Sequence, residues 1–247
     1  MKIEFVIKEA MLGCPEPIPM AKVIPDWWRE MPKEISNQVP VSETGHPTGE
    51  IPSQTIRKCV PFLDSLRTGY CIPMWQDLVV GLDENDNAML HWRSVAESKP
   101  VAEQRAWDGF VNPATGTGMP GTEDVENPNA FILLNPWQIK TPEGYACLFM
   151  PVINANLPLQ FSAAIVNTDT YHSLINFPFF VKEKWRGTIK RGTPIMQIIP
   201  FKRDEWEMEA RVETEKDRRD YNVSSMDIGG VYTGGYLENH GCPVRHT

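Results

Sequence analysis

The sequence predicts a mainly β fold, with a sandwich or distorted barrel core, short N-terminal helices and long loops. Short apolar runs, rich in β-branched and aromatic residues, follow one another from Ala130 onward and are separated by Gly, Pro, Asn and Asp. Twenty-two prolines and 17 glycines leave little room for long helices. Hydrophobic residues make up 41% of the chain and charged residues 23%, which is typical of a chain that buries a core.

Length and composition predict one domain over residues 1–247. We expect an N-terminal strand, short helix and loop over residues 1–56, a core over 57–213 and a C-terminal arm over 214–247. The net charge of −8 argues against binding of duplex nucleic acid, which needs clustered Lys and Arg. The sequence shows no secretory leader, no apolar run long enough to span a membrane and no C-x-x-C pair, so we expect a cytoplasmic protein with reduced, buried thiols.

The N-terminal region predicts two short elements. Residues Lys2 to Lys8 alternate between polar and apolar side chains, which indicates a strand that could lie at a sheet edge. The string IPDWWREMP indicates a single helical turn with Asp26 as its cap. We expect Trp27 and Trp28 to pack against the core, because burial is the commoner role of such aromatic side chains.

A loop and a helix are expected next. Residues 36–53 contain few apolar side chains and several turn-forming residues, so they predict a surface loop. Over Arg57 to Arg67, by contrast, Val60, Leu63 and Leu66 recur at helical spacing, which predicts a helix lying on a sheet.

The middle of the chain predicts a hairpin followed by an ambiguous stretch. The strands YCIPM, DLVVGL and AMLHW surround the Asn/Asp cluster at residues 83–87, where the hairpin would turn. A short helix is expected over residues 101–107. The Gly-rich residues 112–129 do not predict a phosphate-binding loop, because no Gly-Lys-Ser/Thr follows them.

The second half of the chain carries the strongest β signal. The runs FILLNPWQI, GYACLFMPVI, FSAAIVNT, NFPFFV and GTPIMQIIPF predict the core strands. Residues 206–212 alternate apolar side chains with Glu and Arg, which predicts a half-buried strand. After Thr214, a charged run and a Gly-rich tail predict a surface arm or an intersubunit extension.

Several of these strings resemble known proteins. NPWQIKTPEGYACLF, AAIVNTDTY, INFPF and GTPIMQIIPFKRDEW resemble a family of uncharacterised bacterial and phage proteins over residues 25–206. More distantly, the order of TPEGYACL, IVNTDTY, WRGTIKRGTPIMQIIPF and GGVYTGG is similar to the trimeric dUTPase and dCTP deaminase superfamily. That similarity implies a β-clip core, a homo-oligomer that could be a trimer, and a pocket for a nucleotide or another small anionic ligand.

The resemblance also implies site residues. In the superfamily a carboxylate at a strand turn orients an attacking water, while a Tyr ring stacks under the deoxyribose. Asp169 and Asn167 occupy this region and are the implied catalytic positions, but Asn167 stands where the superfamily has Asp, and an amide cannot accept a proton. Whether the chain is an enzyme is therefore left open. The implied ligand-binding residues are Asp77, Tyr171, His172, Arg186, Gln197 and Arg203.

Two other functions remain open at this point. A phage structural or accessory protein, acting through homo-oligomer or virion contacts, would suit the acidic charge and the incomplete catalytic set. A metal-dependent enzyme using His172 is the second alternative, although the five histidines show no spacing typical of metal ligands and no metal site is assigned. The sequence implies no particular cofactor, and a location in the virion would also fit the structural alternative.

Overall fold

The computed structural model describes residues 1–38, 50–82, 88–92, 102–104, 131–182 and 185–226. The chain forms two compact units along its length. One comprises Met1–Arg29 and Ser65–Arg203, and the other comprises Glu30–Asp64 and Asp204–Thr247. The described residues form antiparallel sheets with few helices, so the prediction of a mainly β fold is confirmed. That residues 1–247 act as one domain stays a prediction.

The elements follow one another in short steps, as the proline content predicts. In chain order the described strands are β1 (Glu4–Ile7), β2 (Ile18–Pro19), β3 (Glu34–Gln38), β4 (Glu50–Gln54), β5 (Tyr70–Pro73), β6 (Leu78–Leu82), β7 (Ala88–Trp92), β8 (Ala102–Gln104), β9 (Phe131–Leu133), β10 (Trp137–Lys140), β11 (Tyr145–Pro151), β12 (Leu159–Phe161), β13 (Ala164–Val166), β14 (Phe177–Val181), β15 (Gly187–Ile189) and β16 (Pro194–Lys202). The described α-helices are α1 (Asp26–Glu30), α2 (Val60–Arg67) and α3 (Glu215–Met226). Short 3₁₀ turns lie at Glu9–Met11, Met20–Lys22 and Ile56–Lys58.

The first unit contains four sheets. The largest has the strand order β13-β11-β16-β5-β2, and β16 lies at its centre, paired with β11 from Lys202 to Met196 and with β5 on the other side. A four-stranded sheet has the order β12-β14-β9-β8, and a three-stranded sheet has the order β15-β6-β7. β1 pairs with β10, so that Val6 lies opposite Gln138. The predicted N-terminal strand and the β6–β7 hairpin are thus confirmed.

The core of the first unit is formed by apolar side chains from all four sheets. β14 shows how the sequence builds it: Phe177 and Phe179 alternate in FPFFV and both are buried. Phe179 stacks on Phe131 with ring centroids 5.6 Å apart, and its centroid lies 5.5 Å from that of Phe161. Aromatic pairs in this range add to the stabilisation that burial provides.

The junction after α2 requires a glycine. Gly69 has φ +79°, and a Cβ atom there would lie 2.1 Å from the carbonyl oxygen of Ile198 in β16. Only a residue without a side chain allows the backbone to approach the strand this closely. The Gly69 carbonyl accepts a hydrogen bond from the Met20 N–H at 3.0 Å, which holds the N-terminal segment at the same place.

Among its described residues the second unit contains one strand pair, the 3₁₀ turn at Ile56–Lys58, residues 60–64 of α2 and all of α3. β3 and β4 pair antiparallel from Glu34 opposite Gln54. α3 begins with a capping box: the Asp217 N–H donates to Thr214 Oγ1 at 3.3 Å, and the Thr214 N–H donates to Asp217 Oδ2 at 2.7 Å. The helix replaces the start of the predicted surface arm, whose Gly-rich part, residues 227–247, lies outside the described residues.

Two predictions of local structure are wrong. Residues 36–38 and 50–53 belong to β3 and β4 rather than to a loop, because a backbone ladder forms without apolar side chains. Residues 102–104 form β8, paired with β9, instead of a helix, because tertiary pairing overrides weak local propensity. The predicted turn at 83–87 and loop at 112–129 lie outside the described residues.

Two predictions of burial are also wrong in part. Trp28 is buried as predicted, whereas Trp27 is 40% exposed. The segment Trp206–Val212, predicted as a half-buried strand, is neither helix nor strand, and its residues are exposed. None of the helices in the described part of the chain is long and apolar enough to cross a membrane.

Candidate functional site

A cavity of about 460 Å³ opens in the first unit beside β1 and β10. Its apolar lining comes from Val6, Ile7, Leu134 and Leu174, and its polar lining from Lys8, Gln138, His172, Ser173 and Asn176. Clefts of roughly 300–1,000 Å³ with mostly apolar walls and a few polar groups are typical of small-molecule sites. The cavity is therefore the candidate site.

The loop between β13 and β14 shapes one wall of this cavity. The Asn167 carbonyl accepts hydrogen bonds from the N–H groups of Thr170 (3.1 Å) and Tyr171 (2.8 Å), which closes a tight turn. His172 follows the turn, and its carbonyl accepts a hydrogen bond from Gln138 Nε2 on β10. Ile175 is buried and anchors the return to β14. The side chains between the turn and this anchor are thus held at the cavity.

Asp169 joins three segments near this loop. Its Oδ2 accepts a hydrogen bond from the Gly144 N–H at 2.9 Å and forms an ion pair with Arg203 Nη2. The Arg203 N–H in turn donates to the Gly144 carbonyl at 2.8 Å. The Asp169 side chain is only 3% exposed, and its Oδ1 has no hydrogen-bond partner among the described residues. Because a buried carboxylate needs such partners, these bonds give Asp169 a structural role in addition to any other.

Asn167 and Tyr171, at the two ends of the implied catalytic turn, face solvent. Asn167 is exposed, and its carbonyl rather than its side chain makes the hydrogen bonds of the turn. The Tyr171 side chain is 46% exposed. Asp169 and Asn167 therefore lie in one turn, but the first is buried in an ion pair and the second is open to water.

Two further predicted ligand-binding residues, Asp77 and Arg186, bind backbone groups. Asp77 accepts hydrogen bonds from Lys190 Nζ at 2.9 Å and from the Arg191 N–H at 2.8 Å, at the turn between β15 and β16. Arg186 Nη1 donates to the Trp185 carbonyl at 2.7 Å. Ligand-binding roles for these residues stay predictions.

Gln197, at the centre of β16, is fully buried and ties the end of α2 to the sheet. Its Nε2 donates to the carbonyls of Ser65 (3.0 Å) and Thr68 (2.8 Å), while its Oε1 accepts from the Ile153 N–H at 3.1 Å. These bonds use both donors of the amide, so a ligand that needed them would have to displace backbone partners.

The structure brings together part of the predicted site. Asp169 and Arg203 are in contact, and His172 lines the cavity. Lys8 and Gln138 also line it and carry no sequence motif. Only their positions in alternating segments could have indicated them: Lys8 follows β1, and Gln138 lies in β10, the strand that pairs with β1.

The described thiols give no sign of reactivity. Burial raises the pKa of Cys71 to about 12, and it also raises the pKa of Cys147, despite a hydrogen bond from Thr168 Oγ1 at 3.4 Å. Partial burial raises the pKa of Cys14 as well. The expectation of buried thiols is wrong for Cys59, which is exposed. Within the described ranges no three His, Cys, Asp or Glu side chains converge as metal ligands would.

These features define a class: a mainly antiparallel β protein with a ligand-sized cavity at a two-stranded edge. No family model matches the sequence, and no curated protein matches it. Some solved structures of phage dUTPases are similar. A mutant Staphylococcus bacteriophage 80alpha dUTPase with dUpNHpp is 16% identical over 34% of this chain and 66% of its own, with a TM-score of 0.24. A mutant dUTPase from phage phi11 of S. aureus is 12% identical over 60% of this chain and 85% of its own, with a TM-score of 0.31.

TM-scores this low define neither the fold topology nor the function of this chain. The predicted membership in the uncharacterised bacterial and phage family stays a prediction, because no family model matches.

Proposed function

We propose that this protein binds a small anionic ligand, such as a nucleotide, in the cavity beside β1 and β10. The observation that carries the proposal is the lining of the cavity, which combines apolar walls with the ammonium group of Lys8. None of the lining residues that the structure describes is acidic. The Lys8 ammonium attracts an anion in a chain with a net charge of −8, and the acidic residue next to it in the sequence, Glu9, does not line the cavity.

The other polar groups suit the same class of ligand. Ser173 offers a hydroxyl and Asn176 an amide, which can donate to phosphate or carboxylate oxygens. His172 adds a ring that can stack on a base or a sugar. A ligand with an anionic end and a flat apolar body would use both parts of the lining.

Binding can be tested with purified protein and a panel of dUTP, the other deoxynucleoside triphosphates, pyrophosphate and orthophosphate. A ligand that binds only the folded state raises the melting temperature, and titration calorimetry then gives its Kd. A shift with one triphosphate indicates a nucleotide site, whereas equal shifts with pyrophosphate indicate a site for the phosphates alone. A flat panel would contradict the proposal.

Lys8→Gln and Lys2→Gln form a matched pair for this test. Both lysines extend from the same strand region, but Lys2 is not among the lining residues and its side chain is 80% exposed. We expect Lys8→Gln to weaken binding about tenfold, or ~1.4 kcal/mol, and Lys2→Gln to leave the Kd within about twofold. Equal Kd values for both variants and the unsubstituted protein would place the ligand elsewhere.

Catalytic roles for Asp169 and Asn167 remain a separate proposal. Asn167→Asp supplies a carboxylate at an exposed position of the turn, next to the wall of the cavity. If the turn served hydrolysis, this variant would release pyrophosphate from dUTP faster than the unsubstituted protein. If neither the Asn167→Asp variant nor the unsubstituted protein released pyrophosphate, a role in dUTP hydrolysis would be contradicted and only ligand binding would remain proposed.

A phage structural or accessory role is the second candidate. The exposed apolar side chains of residues 206–212 favour it, because such groups are commonly covered by a partner. The metal-dependent alternative predicts stoichiometric metal in purified protein that is lost in His172→Ala. The described residues supply no supporting cluster for it.

A further inference from the structure

The segment after β16 has an amphipathic pattern, but its apolar side chains are exposed. Within residues 205–213, here called the strip, Trp206, Met208 and Val212 are 90%, 89% and 87% exposed. They share one face in a period of two with Ala210, while Glu and Arg occupy the alternate positions. Such a pattern is typical of a strand with one covered face, and three large apolar groups in water indicate a missing partner.

The outer edge of β1 offers a surface of the matching kind. β1 pairs with β10, and no other strand that the structure describes pairs with its second edge. Ile3, Phe5 and Ile7 point to the core, whereas the alternate residues from Lys2 to Lys8 face outward, with Val6 40% exposed. A strand added to this edge would place its apolar side chains beside Ile3, Phe5 and Ile7. Its charged side chains would lie beside the outward-facing residues of β1 and its flanks.

We propose that the strip of one copy of this chain adds as an antiparallel strand to the outer edge of β1 of a second copy. Charge complementarity selects the register. With Val6 opposite Glu209, Glu4 of β1 and the lysines that flank this strand all meet opposite charges: Lys2 meets Glu213, Glu4 meets Arg211, and Lys8 meets Glu207. Moving the strip by two residues in either direction places Glu4 opposite another Glu, which is destabilising.

The apolar faces match in the same register. Met208 lies opposite Ile7, Val212 opposite Ile3, and the small Ala210 opposite the larger Phe5. A parallel arrangement can also pair the charges, but it leaves Trp206 and Met208 beyond the end of β1 and requires Glu215, which belongs to α3. In the antiparallel register Trp206 also lies beyond the end of β1, opposite Glu9, but Met208 lies opposite Ile7. The antiparallel register therefore covers one more large apolar side chain, Met208.

Several of these charged residues already have partners within their own chain. Lys8 and Glu207 form no ion pair with any residue that the structure describes. Glu213 Oε1 accepts hydrogen bonds from Arg218 Nε at 3.1 Å and Nη2 at 2.9 Å, so Lys2 would share this carboxylate with Arg218. Glu4 pairs with Lys2 at 2.6 Å, and Arg211 Nη2 pairs with Asp217 Oδ1 at 2.8 Å. Because a guanidinium has five N–H donors, Arg211 can hold Asp217 and meet Glu4 at once. Exposed pairs contribute little to affinity, so they choose the register while the apolar face supplies the attraction.

The contact joins two unlike surfaces. It is therefore either exchanged reciprocally in a dimer or repeated around a closed ring. A specific interface buries at least about 1,000 Å², which two exchanged strips with their Trp and Met side chains can approach. The inference does not rest on the proposed ligand, but the two share Lys8: Val6 and Lys8 line the cavity, so Glu207 of the added strand would compete with an anionic ligand for the Lys8 ammonium.

Cross-linking between two variants with one introduced cysteine each tests the register. Val6→Cys protein is mixed with Glu209→Cys protein, both with Cys14, Cys59 and Cys242 replaced by Ser so that only the buried Cys71 and Cys147 remain, and oxidised gently. Opposed residues in an antiparallel pair have Cα atoms about 4.5–5.5 Å apart, within the range of a disulfide. We expect a disulfide-linked dimer, and because each chain carries one introduced cysteine, the link must join two copies.

Glu213→Cys and Glu205→Cys are the matched controls. Each replaces the same residue type on the same face, but lies four residues, or about 13 Å, from Glu209 along the strand. We expect both to cross-link to Val6→Cys at least tenfold more slowly than Glu209→Cys does. Faster linking of Glu213→Cys, or equal linking of all three, would overturn the proposed register.

Light scattering on the full chain tests the association itself. We expect an oligomer at about 50 μM that Met208→Glu converts to monomer, since a charge would then face Ile7. Far-ultraviolet circular dichroism, and an unfolding midpoint equal to that of the unsubstituted protein when both are dilute monomers, show that the variant still folds. A monomer for the unsubstituted protein, or an oligomer that Met208→Glu leaves intact, would overturn the proposal.

Discussion

β16 and the strip that follows it are consecutive segments, both rich in apolar side chains, yet only β16 is buried. Met196 and Ile198 of β16 are 0% exposed, whereas Met208 of the strip is 89% exposed. β16 has a paired strand at each edge and side chains packed on its faces, but the strip has no paired strand among the described residues. The apolar pattern thus favours burial of a segment, but the segment is buried only where another strand or packed side chains lie against it.

The largest expected effect concerns the close contact between the chain after α2 and β16. Gly69→Ala places a Cβ atom 2.1 Å from the Ile198 carbonyl, so backbone must move. We expect a loss of about 4 kcal/mol or more in the free energy of unfolding, measured by urea denaturation. Gly13→Ala is the control, because Gly13 also has positive φ (+94°) but nothing within 4 Å, and it should cost about 1–2 kcal/mol. Similar losses in both variants would mean that conformational strain, not the close approach, governs Gly69.

A matched pair of methionines tests the comparison directly. Met196→Ala leaves a cavity between buried side chains, and we expect a loss of about 3 kcal/mol. Met208→Ala should change the free energy of unfolding by less than about 0.5 kcal/mol at protein concentrations low enough to prevent association. A large loss for Met208→Ala in dilute monomer would show that its side chain packs within its own chain.

Arg203 directly follows β16 and forms an ion pair with the carboxylate of Asp169. Asp169→Asn removes the charge opposite Arg203 and should cost about 2 kcal/mol, because the Asp169 side chain is buried while Arg203 can still reach water. Asp217→Asn removes a carboxylate from a comparable Asp–Arg pair on the surface of the second unit, with Asp217 side-chain exposure of 34%. We expect no measurable change in the main denaturation midpoint for that variant. A larger loss of stability for Asp217→Asn than for Asp169→Asn would contradict the conclusion that burial makes the Asp169–Arg203 pair the more important one.

The smallest expected effect is a pH dependence of α3, which follows the strip. The ion pair with Arg211, followed by the hydrogen bonds from Thr214, lowers the pKa of Asp217 far below its ordinary value. A lowered pKa in the folded state stabilises the helix above the unfolded-state pKa of about 3.9, and that stabilisation is lost as the pH falls below it. Chemical shifts of α3 residues should therefore change from about pH 4 downward. Asp217→Asn should lack this dependence, and an identical titration in both proteins would assign it to another group.

The local predictions that succeeded rest on side-chain patterns with a single physical outcome. α2 forms where Val60, Leu63 and Leu66 recur at helical spacing, although it begins at Val60 rather than Arg57. β5, β6 and β7 form from apolar, β-branched runs. β3 and β4 could not be predicted in this way, because their ladder depends on backbone pairing between polar segments.

The candidate site was harder to predict than the fold. His172 was identified from its neighbours in the sequence, but Lys8 lines the same cavity from a strand more than 160 residues earlier. The ligand-binding role of Gln197 stays a prediction, and the structure shows that its amide binds the backbone of Ser65, Thr68 and Ile153. Local sequence shows that a polar residue lies in an apolar strand, but it does not show which group will satisfy that residue.

The sequence by itself determined the mainly β character, the short elements and the apolar segments that must find cover, because these follow from backbone chemistry and side-chain periodicity. Tertiary structure alone decided which strand paired with which, that Asp169 would be buried against Arg203 and that Lys8 would meet His172 at one cavity. The physical reason is that burial and ion pairing depend on distances between residues far apart in the chain, which only the packed fold sets.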